Sequence, residues 1–159
     1  MTDSRDILPQ MAGQQLARGV CRALRGYDFA TLEEFIPTAG LRVDVMALGP
    51  SGEFWVIECK SSRADFNADA KWHHYLEWCD RFFWAVPPDF PAHILPPDTG
   101  LIRADAYGGE IIHMGPQTPL PPARKRAQTL RFARAAGFRD QSARDLGVSA
   151  FLGQMPQQP

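Results

Sequence analysis

Between Leu41 and Ser62 the chain reads LRVDVMALGPSGEFWVIECKSS, two apolar runs of strand-forming residues joined by the turn signal GPSG at 49–52. No other stretch constrains the fold as much, because two such runs separated by a short turn pair as an antiparallel hairpin. Glu58 and Lys60 close the second arm, which is otherwise Phe54, Trp55, Val56 and Ile57. Side chains two apart on a strand share a face, so a carboxylate and an ammonium stand side by side at the end of an apolar run. Charges in that position cost desolvation unless they have partners or a task.

The flanking sequence supplies the rest of an α/β domain. From Ile7 to Arg25 the positions Leu16, Ala17, Val20 and Leu24 recur at helical spacing, with Pro9 suited to a first turn and Gly26 to a stop. TLEEFIP at 31–37 reads as a strand preceding the hairpin arms at 41–48 and 53–60. Residues 61–80 place Trp72, Tyr75, Leu76 and Cys79 at helical spacing, after possible caps at Ser61, Ser62 and Asp65. RFFWAVP at 81–87 is a strand buried on both faces, and the proline-rich 87–100 is a loop. The expected order is αβββαβ, a central mixed sheet flanked by helices. LIRADA and EIIHM around YGG add a hairpin or an extension, and 123–138 a basic C-terminal helix. Residues 1–150 are expected to form one domain, and 151–159 a disordered tail.

With the hairpin formed, Asp44 on one arm meets Glu58 and Lys60 on the other. Two carboxylates and a backbone carbonyl, that of Cys59, suit a hard divalent cation such as Mg²⁺ or Mn²⁺, which prefers oxygen ligands and keeps several waters. A water held there is a better nucleophile, and a neighbouring ammonium can orient it or offset charge on a phosphoryl oxygen. That combination suits phosphodiester hydrolysis. The structural alternative for the same residues is a salt bridge at a sheet end.

The pattern VD at 43–44 followed by ECK at 58–60, in an αβββαβ order, resembles the PD-(D/E)XK nuclease superfamily, with Val43 where the motif name has proline. More closely, 40–90 together with DTGLIRADAYGGEI at 98–111 and TLRFARAAG at 129–137 is similar to the MmcB-like family of bacterial DNA repair proteins. The resemblance runs from about Leu16 to Gly137. It implies a restriction-endonuclease-like core and a metal-dependent DNA endonuclease, or else a non-catalytic DNA-binding or adaptor protein that keeps the fold. By position it implies metal-binding acids at Asp44 and Glu58 and a catalytic lysine at Lys60. It implies a further acid at Glu34, with Glu33, on the opposite side of its strand, as the alternative. Lys71 and Tyr75 match helix positions that line the site in some branches, although Tyr75 also fits the apolar stripe. The implied partners are damaged or branched DNA and other repair proteins, with a homodimer possible and a nucleoid-associated location in the bacterial cytoplasm.

Charge segregation bears on the same question. Residues 124–159 hold seven Arg or Lys against Asp140 and Asp145, whereas residues 1–123 hold 10 basic against 16 acidic residues. At about 100° per residue Arg124, Arg131 and Arg134 fall within one arc, fit either for phosphate contacts or for a solvated helix face. Arg42 shares a strand face with Asp44 and can meet a phosphate or pair with Glu34. Asp65 and Asp69 can shape the entrance to the site. His73 and His74 are adjacent on one helix and diverge, so no two-histidine metal site is expected from them. Cys21, Cys59 and Cys79 have no CxxC spacing and read as reduced thiols. No apolar run reaches the roughly eighteen residues a membrane span needs, and the opening residues lack a secretory pattern.

Overall fold

Two strands buried along both faces sit at the centre of the molecule, as an α/β sheet covered on each side requires. They are β3 (Phe54–Cys59) and β4 (Arg81–Val86), which run parallel with Glu58 beside Trp84 and Cys59 beside Ala85. The structure, a computed structural model, describes the backbone of residues 4–152 and the side chains of residues 11–146. Helix α1 (Ser4–Gly26) comes first, followed by β1 (Ala30–Thr38) and β2 (Leu41–Leu48), which lead into β3. After β4 come β5 (Gly100–Ala104) and β6 (Gly109–His113), and the six strands lie in chain order. The β1–β2, β2–β3 and β5–β6 pairs are antiparallel and β4–β5 is parallel, giving the expected mixed sheet. This is the α/β architecture of a restriction-endonuclease-like core.

The hairpin register follows from its turn. Gly49 N–H donates to the Glu53 carbonyl at 2.8 Å, and Gly52 adopts φ of +86°, a left-handed conformation that glycine takes without strain. The ladder then pairs Leu48 with Phe54 through to Val45 with Ile57. One face of the sheet carries Val45, Ala47, Trp55, Ile57, Phe83 and Ile102 against Leu16, Ala17, Val20 and Leu24 of α1. The other carries Phe82 and Trp84 against Phe66, Trp72 and Tyr75. Asp44 and Glu58, at even positions on β2 and β3, share this second face with Phe54 and Val56.

The single helix expected over 61–80 is two pieces. A short α2 (Arg63–Asn67) is capped by Ser62, whose Oγ accepts from Asp65 N–H at 3.2 Å. The chain is then broken at Asp69, whose Oδ1 accepts from Lys71 N–H at 2.9 Å, and resumes as a 3₁₀ turn over Trp72–Trp78. Three residues per turn align Trp72, Tyr75 and Trp78 and turn Leu76 outward, where it is 43% exposed. The first helix is already present at Ser4, the first residue whose backbone is described, ahead of the expected start at Ile7. The hairpin reading of β5 and β6 holds.

The described residues divide after Pro122 into two compact units. The second holds all of α3 (Pro122–Leu152) but its first residue, and this helix continues well past the expected end at 138; residues 153–159 of the expected tail lie outside the described residues. Among the described residues no helix is long and apolar enough to cross a membrane.

Gly19 sets how closely α1 approaches the sheet. A Cβ there would meet the backbone carbonyl oxygens of Asp105 and Gly108 in the β5–β6 turn, whereas one at Gly13 would meet nothing within 4 Å. Gly19→Ala is therefore expected to lose about 1–3 kcal/mol of stability by overpacking, and Gly13→Ala to gain about 0.5–1 kcal/mol from helix propensity. Urea denaturation followed by circular dichroism measures both, and equal midpoints for the two variants would refute the close approach.

Candidate active site

The β2–β3 ladder ends one rung before the acids. Beyond Val45 and Ile57 the strands part, and side chains replace the missing backbone bonds. Glu58 Oε1 accepts from the backbone N–H of Asp44 at 3.0 Å, and Asp44 Oδ2 accepts from the backbone N–H of Cys59 at 2.8 Å. Each acid thus fixes the strand of the other, and each spends one oxygen doing so. Glu58 is 3% exposed. Burial, together with the Asp44 charge, pushes the Glu58 carboxyl well above the usual carboxylate range, against the pull of the Asp44 N–H and of Lys60. Burial raises Asp44 as well, opposed by the Cys59 N–H and Lys60. Cys59 points to the α1 face, as its alternation requires, and burial holds its thiol far from ionisation.

Lys60 follows β3 and its backbone N–H donates to the Ala85 carbonyl at 2.9 Å. Its Nζ lies 2.9 Å from Asp69 Oδ2 and 4.0 Å from Asp65 Oδ1. Burial works against the ammonium, but the bond it donates to Asp69 and the charges of Asp69, Asp65 and Glu58 overcome it, and Lys60 titrates above an ordinary lysine. The group is a fixed cation. Asp65 also steadies the entry to α2, since its Oδ2 accepts from Ser61 N–H at 3.2 Å.

These residues line a cavity of about 910 Å³, with Asp44, Glu58 and Lys60 joined by side chains from α1, β1 and the 65–75 segment. Glu34 and Glu33 both line it, Glu33 beside Arg18 and Cys21 of α1 and Glu34 beside Arg42 of β2. Glu34 has φ of +48°, which interrupts the extended backbone between the Glu33–Val45 and Phe35–Val43 pairs. Arg42 Nη1 lies 3.9 Å from Glu34 Oε1, the pairing that the shared face allowed. Arg18 Nη1 lies 3.5 Å from Glu33 Oε1 at the same rim. Tyr75 is 7% exposed and stacks on Phe82 at 6.4 Å, yet it also lines the cavity with Lys71, so packing and lining are not alternatives here. Burial beside Glu58, Asp69 and Asp44 keeps its phenol neutral.

Arg18 and the neighbouring Gln14 and Gln15 of α1 also line the cavity, and no motif in the sequence marks them. They depend on where α1 lands on the sheet. Arg124, Arg131 and Arg134 lie exposed on α3 in the second unit, with Arg134 5.2 Å over the Phe138 ring. Among the described residues no three His, Cys, Asp or Glu side chains converge as a metal cluster. A cation held by Asp44 and Glu58 would therefore need a main-chain oxygen, water or substrate to complete its shell.

The acids also make a thermodynamic signature. Because Glu58 and Asp44 hold protons more tightly in the folded chain than in the unfolded one, their contribution to stability is full at acid pH. It is lost as pH rises through their elevated native values. In chelator-treated buffer Glu58→Gln, which keeps an oxygen for the Asp44 N–H, is expected to exceed wild type in stability at pH 7 by about 1–3 kcal/mol. It should also flatten the decline between acid and neutral pH. Thermal unfolding across that range measures both effects, and a variant less stable than wild type at pH 7 would refute the desolvation account.

A family model described as DNA repair protein MmcB-like matches residues 2–146. A solved structure, the SPO1766 protein of unknown function from Silicibacter pomeroyi, is 60% identical, with 86% of this chain and 93% of that chain covered and a TM-score of 0.84. No curated protein matches the chain. The family match spans nearly the whole length of the chain, and the chain belongs to the MmcB-like family of DNA repair proteins.

Proposed function

We propose that this protein is a DNA repair endonuclease of the PD-(D/E)XK type that hydrolyses phosphodiester bonds with Mg²⁺ or Mn²⁺. The observation that carries the reading is the pair of desolvated carboxylates, Asp44 and Glu58, each with one oxygen committed to the opposite strand, beside a fixed ammonium in a cavity of about 910 Å³. The donor set fits a hard cation, because the oxygens not committed to backbone N–H groups belong to two acids on adjoining strand ends. The Cys59 carbonyl leaves β3 on the same side as its N–H and would supply a third oxygen. A bound cation would make its water more acidic and offset charge on the phosphoryl oxygens.

The chain's own residues do the rest. Asp44 and Glu58 would hold and orient the ion, with Glu34 assisting from the rim beside Glu33. Lys60, cationic throughout the working pH range, would steady the attacking water or the phosphoryl charge rather than remove a proton. Arg42, Lys71 and Tyr75 line the approach, and Arg124, Arg131 and Arg134 would neutralise backbone phosphates. DNA, damaged or branched, is the substrate class that this reading assigns.

The acids' bonds to backbone N–H groups favour one competing reading, a DNA-binding or adaptor protein in which the same residues only close the sheet. Incubation with plasmid, nicked, flapped and branched DNA in Mg²⁺ or Mn²⁺ separates the two. The nuclease reading expects cutting that falls at least about 100-fold in Asp44→Ala and in Lys60→Ala, with DNA binding retained. Binding without cutting on every substrate leaves the adaptor. On the cleavage-silent Asp44→Ala background, each of Arg124→Ala, Arg131→Ala and Arg134→Ala is expected to lower the slope of log affinity against log salt by about one. Unchanged slopes would exclude α3 from the interface.

A further inference from the structure

Lys60 has four carboxylates within its surroundings and pairs with the two that do not lie on its own sheet face. Asp44 and Glu58 stand on the neighbouring strand ends, yet among the described residues neither makes an ion pair with Lys60; Asp69 does, at 2.9 Å, and Asp65 stands at 4.0 Å. The Lys60 and Asp69 side chains are 10% and 8% exposed, so little solvent screens the contact. Asp69 is itself fixed, because its second oxygen accepts from Lys71 N–H at 2.9 Å at the break between α2 and the 3₁₀ turn. A lysine carries a compact charge on a flexible stem, and such a charge goes to whichever acid is placed to receive it.

We propose that Asp69 is a positioning residue: by holding the Lys60 ammonium on the α2 side of the cavity, it keeps that charge off the Asp44–Glu58 pair and leaves the pair to a divalent cation. This rests on the metal-site reading above. Lys60 and a cation are rivals for the same two carboxylates. With Asp69 in place the rivalry is settled in favour of the cation, and the ammonium stays beside it, where a phosphate oxygen can meet both. Without Asp69 the ammonium swings onto Glu58 and Asp44, and the cation must displace it.

The proposal predicts a coupling that a simple loss of negative charge does not. Calorimetric titration with Mn²⁺ would compare wild type, Asp69→Asn, Lys60→Gln and the double variant. Asparagine keeps the oxygen that accepts from Lys71 N–H, so the chain break at 69 is preserved. The expected result is a dissociation constant about tenfold higher in Asp69→Asn than in wild type, but within about twofold between Lys60→Gln and the double variant. Recovery of affinity by the second substitution also shows that Asp69→Asn had not simply misfolded. Asp69→Glu, which keeps an acid near Lys60, is expected to stay within about threefold of wild type. The same loss from Asp69→Asn in both backgrounds, or a loss in Asp69→Glu equal to that in Asp69→Asn, overturns the positioning role while the metal site stands. Absence of Mn²⁺ binding in wild type removes the metal site itself, and this inference with it.

Discussion

The missing rung between β2 and β3 governs the rest of the site. Two antiparallel strands part at Asp44 and Glu58, and the backbone donors exposed by the parting are met by carboxylates from across the gap. A buried N–H without an acceptor is costly, so the exchange is favourable for the backbone. It is unfavourable for the acids, which are drawn out of water and set close to one another. The structure therefore holds a standing demand for positive charge at that spot. Lys60 answers only part of it, because Asp69 claims the ammonium.

Much of this was legible in the sequence, for a definite reason. A hairpin with a strict side-chain period of two leaves no choice about which residues share a face, and the turn at 49–53 fixes the register. Asp44, Glu58 and Cys59 therefore fall where alternation places them. Lys60 follows from the same count, although the partner it selects does not. Its partner lies on a segment whose course depends on the chain break at Asp69, a local hydrogen bond that hydrophobic periodicity does not register.

That break also explains the misread helix. Trp72 and Tyr75 are three apart, a spacing shared by the α-helix and the 3₁₀ turn, and only Leu76 against Trp78 tells the two apart. That both Glu33 and Glu34 line the cavity is not legible from alternation alone. Alternation assumes extended backbone at each residue, and Glu34 is left-handed. The wall built from α1 was beyond any local reading. Arg18, Gln14 and Gln15 reach the cavity because the helix is pressed onto the sheet through Gly19, a contact between residues far apart in the chain.

The left-handed residue at Glu34 has a second effect, on how molecules meet in solution. β1 is one margin of the sheet, and an uninterrupted outer strand offers a row of unpaired main-chain groups on which a second molecule can extend the sheet. Here the row is disturbed at Glu34, again by the register shift between Phe35 and Thr38, and by Pro37, which has no N–H to offer. The left-handed conformation of a cavity-lining residue thus also makes this margin a poor template for strand addition.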